Sequence, residues 1–341
     1  MPLSDSDAAR QTLDRAESGA PAAGHAVRDL FSTDEIFQRV VATADEEFVR
    51  SSRLLFFSGL AAGLSIGLSF VARAALTAAV PGDESGLVGA ILYPVGFLLI
   101  VLGRYQLFTE NTLTPVTLVL TRIAAVPQLL RLWGIVLLAN VIGAALVGLV
   151  LATTGVFDAD TAAAARAIAA HGLEVPAGAL FWKGVFAGWL VASMVWLNHA
   201  ARDTVTRFLI VFAIMFLVPA ADLFHCIIGA CEMLYLVFQG LAGLGEAAWF
   251  FAVVVAGNTV GGVLLVALLN YGQTRQKRFP DRDPDQLSLT WREFMFGVGR
   301  GKEADAEADN APLTRDDDID GAETGSMLDQ PVPDAPEEEP A

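Results

Sequence analysis

Asn140-Val-Ile-Gly-Ala-Ala-Leu-Val-Gly-Leu-Val-Leu151 and Asn258-Thr-Val-Gly-Gly-Val-Leu-Leu-Val-Ala-Leu-Leu269 say nearly the same thing twice, 118 positions apart. Both lie inside long apolar runs, so the sequence reads as a membrane-embedded region built from two related halves. Other echoes keep a similar offset. Gly59-Leu-Ala-Ala-Gly63 answers Gly184-Val-Phe-Ala-Gly188, and Gln106-Leu-Phe-Thr109 answers Asp222-Leu-Phe-His225. Duplicated halves with a solute path between them near the bilayer midplane are the pattern of transporters and channels.

Working outward, the chain has 341 residues, 54% of them hydrophobic, and its mean hydropathy is +0.51. A run that crosses ~30 Å of hydrocarbon needs about 20 apolar residues. Six runs qualify, at roughly 54–79, 87–108, 132–155, 177–199, 207–225 and 247–271. The first 50 residues are polar and hold no apolar core segment, so no cleavable signal peptide is expected. The expected organisation is an N-terminal segment at 1–50, a six-helix transport region at 51–275 and an acidic tail at 276–341.

Charge orients the spans. Arg50, Arg53, Arg122, Arg131, Arg202, Arg207, Arg275, Lys277 and Arg278 flank alternate ends, while Asp83, Glu84, Asp158, Asp160, Glu174 and Glu246 occupy the other loops. The positive-inside rule then places both termini in the cytoplasm of a multi-pass plasma-membrane protein. Three spans per half is an odd number, so the two halves are expected to be inverted relative to each other. The net charge of −16 comes largely from the tail, where Lys302 and Arg315 are the only bases after Gly301. Such a segment buries too little apolar surface to offset its ordering entropy and is expected to stay unfolded. The acidic excess also suits a high-salt, haloarchaeal-type cytoplasm. Cys226 and Cys231 read as buried free thiols, since no second Cys/His pair completes a metal site. No nucleophile–base pair, cofactor fingerprint or nucleic-acid motif is present, so neither an enzyme nor a nucleic-acid binder is expected, and no cofactor is implied.

Two spans are interrupted. Gly103-Arg-Tyr-Gln-Leu-Phe-Thr-Glu-Asn-Thr-Leu-Thr-Pro115 makes a poor continuous helix, and Pro219-Ala-Ala-Asp-Leu-Phe-His-Cys-Ile-Ile-Gly229 breaks the fifth span at the matching place. Non-helical backbone at membrane depth survives only where it is buried in protein or faces an aqueous cavity. Taken alone, the first break also reads as an interfacial loop; the pair points to the solute path. The half-helices after the breaks would aim backbone N–H groups inward, which favours an anion.

These stretches resemble the formate/nitrite transporter family. Gln106-Leu-Phe-Thr-Glu-Asn-Thr-Leu113 is similar to its looped second helix and Asp222-Leu-Phe-His225 to its broken fifth helix with a central histidine. Gly184 to Val191 is similar to the start of its fourth helix, and Gly257-Asn-Thr-Val-Gly-Gly262 to its sixth. The resemblance covers about residues 50–275. It implies an all-α, aquaporin-like fold and a homopentamer of protomers, each with its own pore for small monovalent anions such as formate or nitrite. By position it makes His225 the central pore histidine, Thr109 its partner, Lys183 a vestibule lysine and Asn258 a pore-facing amide. Tyr93, Phe97, Leu107, Phe108, Val191 and Val218 fall at the apolar constrictions. The chain departs from the family's pattern in having Arg104 where Gly is usual, Gln106 where Glu is usual, and Phe224 where Glu precedes the histidine.

The chemistry follows from cost. An anion crossing an apolar constriction loses its hydration, whereas a neutral weak acid loses little. A midplane histidine, with a pKa near 6.5 when unperturbed, would share a proton with the passing solute, with Thr109 holding the ring. Asp222 is read as an acid brought close to His225, and Arg104 as the partner of Glu110 or of Asp222, or else as a pore-facing cation. Each of these side chains also has a plain structural reading: a core histidine, a helix-capping threonine, a snorkelling lysine, a packing asparagine matched by Asn140. His171 and His199, near loops, receive no role. Residues 34–49 read as an amphipathic helix on the cytoplasmic face, and 158–171 as an Ala-rich connector on the opposite side. A pore for neutral solutes and a non-transporting interaction protein remain the alternative functions.

Overall fold

A computed structural model describes residues 30–83, 86–274 and 289–297, and every regular element among them is helical. Helix α1 (Thr33–Val49) starts with a capping box in which Ser32 and Glu35 bond reciprocally, and it buries Phe37, Val40, Val41 and Ala44. Helix α2 spans Ser52–Ala79. A single turn at Leu87–Ala90 leads into α3 (Pro94–Gly103), and α4 (Thr114–Leu120) follows the first break. Helix α5 (Val126–Thr153) completes the first half.

Helix α6 (Ala159–Glu174), capped by Asp158, joins the halves. Then come α7 (Ala177–Ala200), α8 (Thr204–Ala220), α9 (Cys226–Phe238) and α10 (Leu244–Gln273). A further short helix, α11 (Trp291–Phe296), lies in the tail region, with the Leu289 amide bonded to the Arg122 carbonyl. The acidic stretch after Gly301 lies outside the described residues.

Four helices, α2, α5, α7 and α10, are each long and apolar enough to cross a membrane. Between them lie two interrupted pairs of shorter helices: α3 and α4 flank one break, α8 and α9 the other. The third span begins at Val126, earlier than the apolar run at 132 suggests, because Pro127 serves as an N-terminal helix residue. After the second break the apolar run at 207–225 is followed by α9, which continues to Phe238.

In each half the two long helices pack side by side, α2 on α5 and α7 on α10. Small residues permit this. A Cβ on Gly143 would come within 2.7 Å of Gly63, and one on Gly257 within 2.5 Å of the Phe181 carbonyl. Inside a bilayer such close backbone packing supplies what the hydrophobic effect cannot. Near its end α10 widens into a π-helical stretch at Val263–Leu268, just where Gly262 makes room for the Thr112 side chain.

Candidate functional site

The site begins with two asparagines. Asn140 on α5 and Asn258 on α10 are fully buried. Asn140 donates from Nδ2 to the carbonyls of Gly59 (2.8 Å) and Gln106 (2.9 Å) and accepts the Phe108 N–H at 2.8 Å. Asn258 repeats the pattern, donating to Gly184 (2.8 Å) and Phe224 (3.0 Å) and accepting from Cys226 at 2.9 Å. Each amide thus satisfies three backbone groups, two of them in the break it holds, at a depth where water does not replace them. The glycine echo gains a physical meaning: Gly59 and Gly184 offer the carbonyl, while Gly63 and Gly188 leave room for the backbone of the two asparagines. The expectation of a pore-facing amide at Asn258 is corrected, because its hydrogen-bonding groups are committed to backbone.

The clamps also reset the alignment of the two halves. Residues 106 and 108 in the first break correspond to 224 and 226 in the second. The repeated Leu-Phe is therefore out of register by two residues, and the counterpart of His225 is Leu107 rather than Thr109.

Both breaks open with a non-glycine residue in the left-handed region, Arg104 at φ 57° and Asp222 at φ 53°, a conformation that favours glycine. His225 is the extended N-cap of α9, and its Nδ1 accepts the Ile228 N–H at 3.4 Å. The neutral ring then carries its proton on Nε2, an assignment made from the hydrogen-bond network. Nε2 lies 2.7 Å from Thr109 Oγ1, so the imidazole donates to the hydroxyl and the hydroxyl keeps its own proton to give. Phe97 meets the ring edge-on at 5.0 Å between centroids, and Tyr93 packs on Phe97 at 5.7 Å. Phe108 turns instead to Trp133, 5.7 Å away. Val191 and Val218 are fully buried on α7 and α8.

Two cavities flank this cluster, one on the α1 side and one on the α6 side. On the α1 side, one of about 540 Å³ has four arginines in its wall, Arg39, Arg50, Arg104 and Arg207, together with Gln106 and His199. Arg104 pairs with Glu46 at 3.2 Å and is largely exposed, so the expected pairing with Glu110 or Asp222 is corrected. Glu47, in the same wall, is buried and accepts hydrogen bonds from Thr114 (2.8 Å) and Gln106 (3.3 Å), two residues of the first break. Burial pushes its carboxyl up to about 7, against the pull of those bonds.

The other cavity, of about 100 Å³, reaches His225 from the α6 side. Here Asp222 bonds Lys183 through one oxygen and His171 through the other, at 2.8 Å for the latter. Asp222 is thus engaged by those two side chains, and Lys183 is a paired rather than a free vestibule cation. The amides of Cys226 and Ile228 are taken by Asn258 and His225, so the first turn of α9 points fewer donors inward than expected.

A sequence profile described as "Formate/nitrite transporter" matches residues 34–272. The chain is 32% identical over 244 residues to the "Inner membrane protein YfdC" of Escherichia coli (strain K12), covering 70% of this chain and 78% of that one. The chain belongs to the formate/nitrite transporter family. Its fold matches a solved "FNT family ion channel" with a TM-score of 0.63 at 21% identity, covering 70% of this chain and 99% of that one. It also matches a "Pentameric formate channel with formate bound" with a TM-score of 0.55 at 22% identity, covering 67% and 97%.

Within this transporter fold, sequence reasoning missed four side chains: Glu47, His171, Arg73 and Glu232. Arg73 and Glu232 carried a usable signal, since an ionisable residue within a span is a functional-site hypothesis by default. His171 carried none, because its partner Asp222 is 51 residues away and meets it only after folding.

Proposed function

We propose that this member carries small monovalent anions, formate or nitrite, through a pore within each protomer. The observation that supports this reading is the buried Thr109–His225 hydrogen bond, which joins the two breaks between two polar cavities. The arginines of the larger cavity concentrate anions. At the barrier the desolvation cost falls when the solute shares a proton, and the Thr109 hydroxyl, backed by the His225 Nε2–H, offers one at the narrowest point. Phe97 and Leu107 exclude water there, so that the shared proton is not lost to bulk solvent.

The arginine-rich loops orient the α1 face toward the cytoplasm, with the two halves inverted and both termini on that side. Exposed apolar side chains such as Trp182, Phe186, Leu138 and Trp249 suit lipid and neighbouring protomers of a homopentamer. The test is uptake of formate and nitrite into liposomes containing the purified full chain at two pH values, beside His225→Asn. Saturable, pH-dependent uptake that falls by about tenfold or more in the variant is expected. Equal uptake and an equal pH profile in the variant would remove the proton-sharing role, and intact protein without anion flux would remove the transport reading.

A further inference from the structure

The small cavity that reaches His225 has a second polar wall that the pore mechanism leaves unused. Arg73 comes from α2, near its C-terminal end, and Glu232 from α9, about two turns beyond His225. The pair sits with N···O at 3.8 Å, the side chains 23% and 8% exposed. That separation exceeds the ~3.2 Å of an ordinary N–H···O hydrogen bond, and Oε1 of Glu232 has no hydrogen-bond partner. A buried carboxylate normally gathers several donors. Here it is held by charge alone, facing a space with room for about three waters.

We infer that Arg73 and Glu232 form a proton-linked docking site for a small oxyanion. The anion enters the cavity and takes the Arg73 guanidinium in a two-point hydrogen-bonded pair, displacing Glu232 as its counter-ion. Glu232 is then a buried charge without a partner, which costs more than accepting a proton. It takes one from hydronium, becoming a carboxylic acid and releasing water; no bond to the solute forms or breaks. The net charge of the site is unchanged, so one anion and one proton load together. On departure Glu232 returns its proton to water or to the leaving anion, and its pair with Arg73 re-forms.

The surrounding groups leave this role to Arg73. Lys183 and His171, from α7 and α6, are both held by Asp222, Tyr93 presents a neutral phenol, and His225 is committed to Thr109. Cys231, beside Glu232 on α9, is a buried thiol.

This inference rests on the transport reading for its use, but its test does not need flux. Formate, and separately nitrite, is added to the detergent-solubilised full chain in weakly buffered solution, and proton uptake is followed with a pH-indicating dye. The wild type is expected to take up about one proton per bound anion, and Glu232→Gln to take up less than a tenth of that while still binding formate. Arg73→Gln is expected to lose both binding and uptake, and Arg73→Lys to recover part of each. Identical gel-filtration profiles establish that the variants are folded. Uptake unchanged in Glu232→Gln, or lost in His225→Asn instead, would place the proton elsewhere and overturn the inference, as would binding without proton uptake in the wild type. Proton uptake that persists in a protein with no liposome flux would count against the transport reading alone.

Discussion

The two helix breaks share a skeleton and differ in everything attached to it. In both, an asparagine on the second long helix of its half pins three backbone groups, and a left-handed residue follows the preceding half-helix. Yet the clamped segment carries Leu107 in one and His225 in the other. The first break is anchored from the α1 side by Glu47, through Gln106 and Thr114. The second is anchored on the α6 side by Asp222, through Lys183 and His171. The two breaks thus share the geometry of the clamp and differ in the side chains it holds in place. A single histidine facing a threonine from the other half is an asymmetric arrangement built on a repeated frame.

The strongest challenge to this comparison is to remove the clamps one at a time. Asn140→Ala and Asn258→Ala should each strand three buried backbone groups, at about 1–3 kcal/mol apiece, and lower thermal stability in detergent by similar, large amounts. A large loss in only one variant would show that the two breaks are not mechanically equivalent.

The anchors come next. With its carboxyl raised from 4.5 to about 7, Glu47 keeps its proton when α1 is docked at pH values where the undocked side chain has lost it. Docking of α1 should therefore be strongest below pH 4.5, weaken as pH rises toward 7 and level off above. Hydrogen exchange of the α1 amides across this range should show the trend, and Glu47→Gln, which has no proton to lose, should flatten it. The smallest effect is expected at the second anchor. Asp222→Asn leaves Lys183 and His171 without their carboxylate and should raise initial anion uptake by about twofold at low salt, a gain that disappears as ionic strength increases. An increase that survives high salt would point to a structural rather than an electrostatic effect.

Much of the frame was readable before folding. The apolar runs marked the spans, the amphipathic pattern of residues 34–49 marked α1, and the paired glycines and asparagines marked two related halves. All of these are local or periodic signals. That Thr109 meets His225 was implied by the family resemblance, and the two side chains are 2.7 Å apart. Arg104 was misread, since the Glu46 that meets it lies on a helix outside the spans. The Leu-Phe echo misled for a related reason: short apolar matches are common in a chain this hydrophobic, and the true register is visible only in which carbonyl each asparagine reaches.

By itself the sequence determined that this chain is a membrane protein of two related halves with two broken spans, because hydropathy, helix periodicity and helix-breaking residues act over short stretches. Only the tertiary structure decided that Leu107 answers His225, that Asp222 pairs with Lys183, and that Arg73 meets Glu232 in the wall of a cavity. Those relations join residues far apart in the chain, and a charge's partner is whichever group the packing of other helices brings within reach.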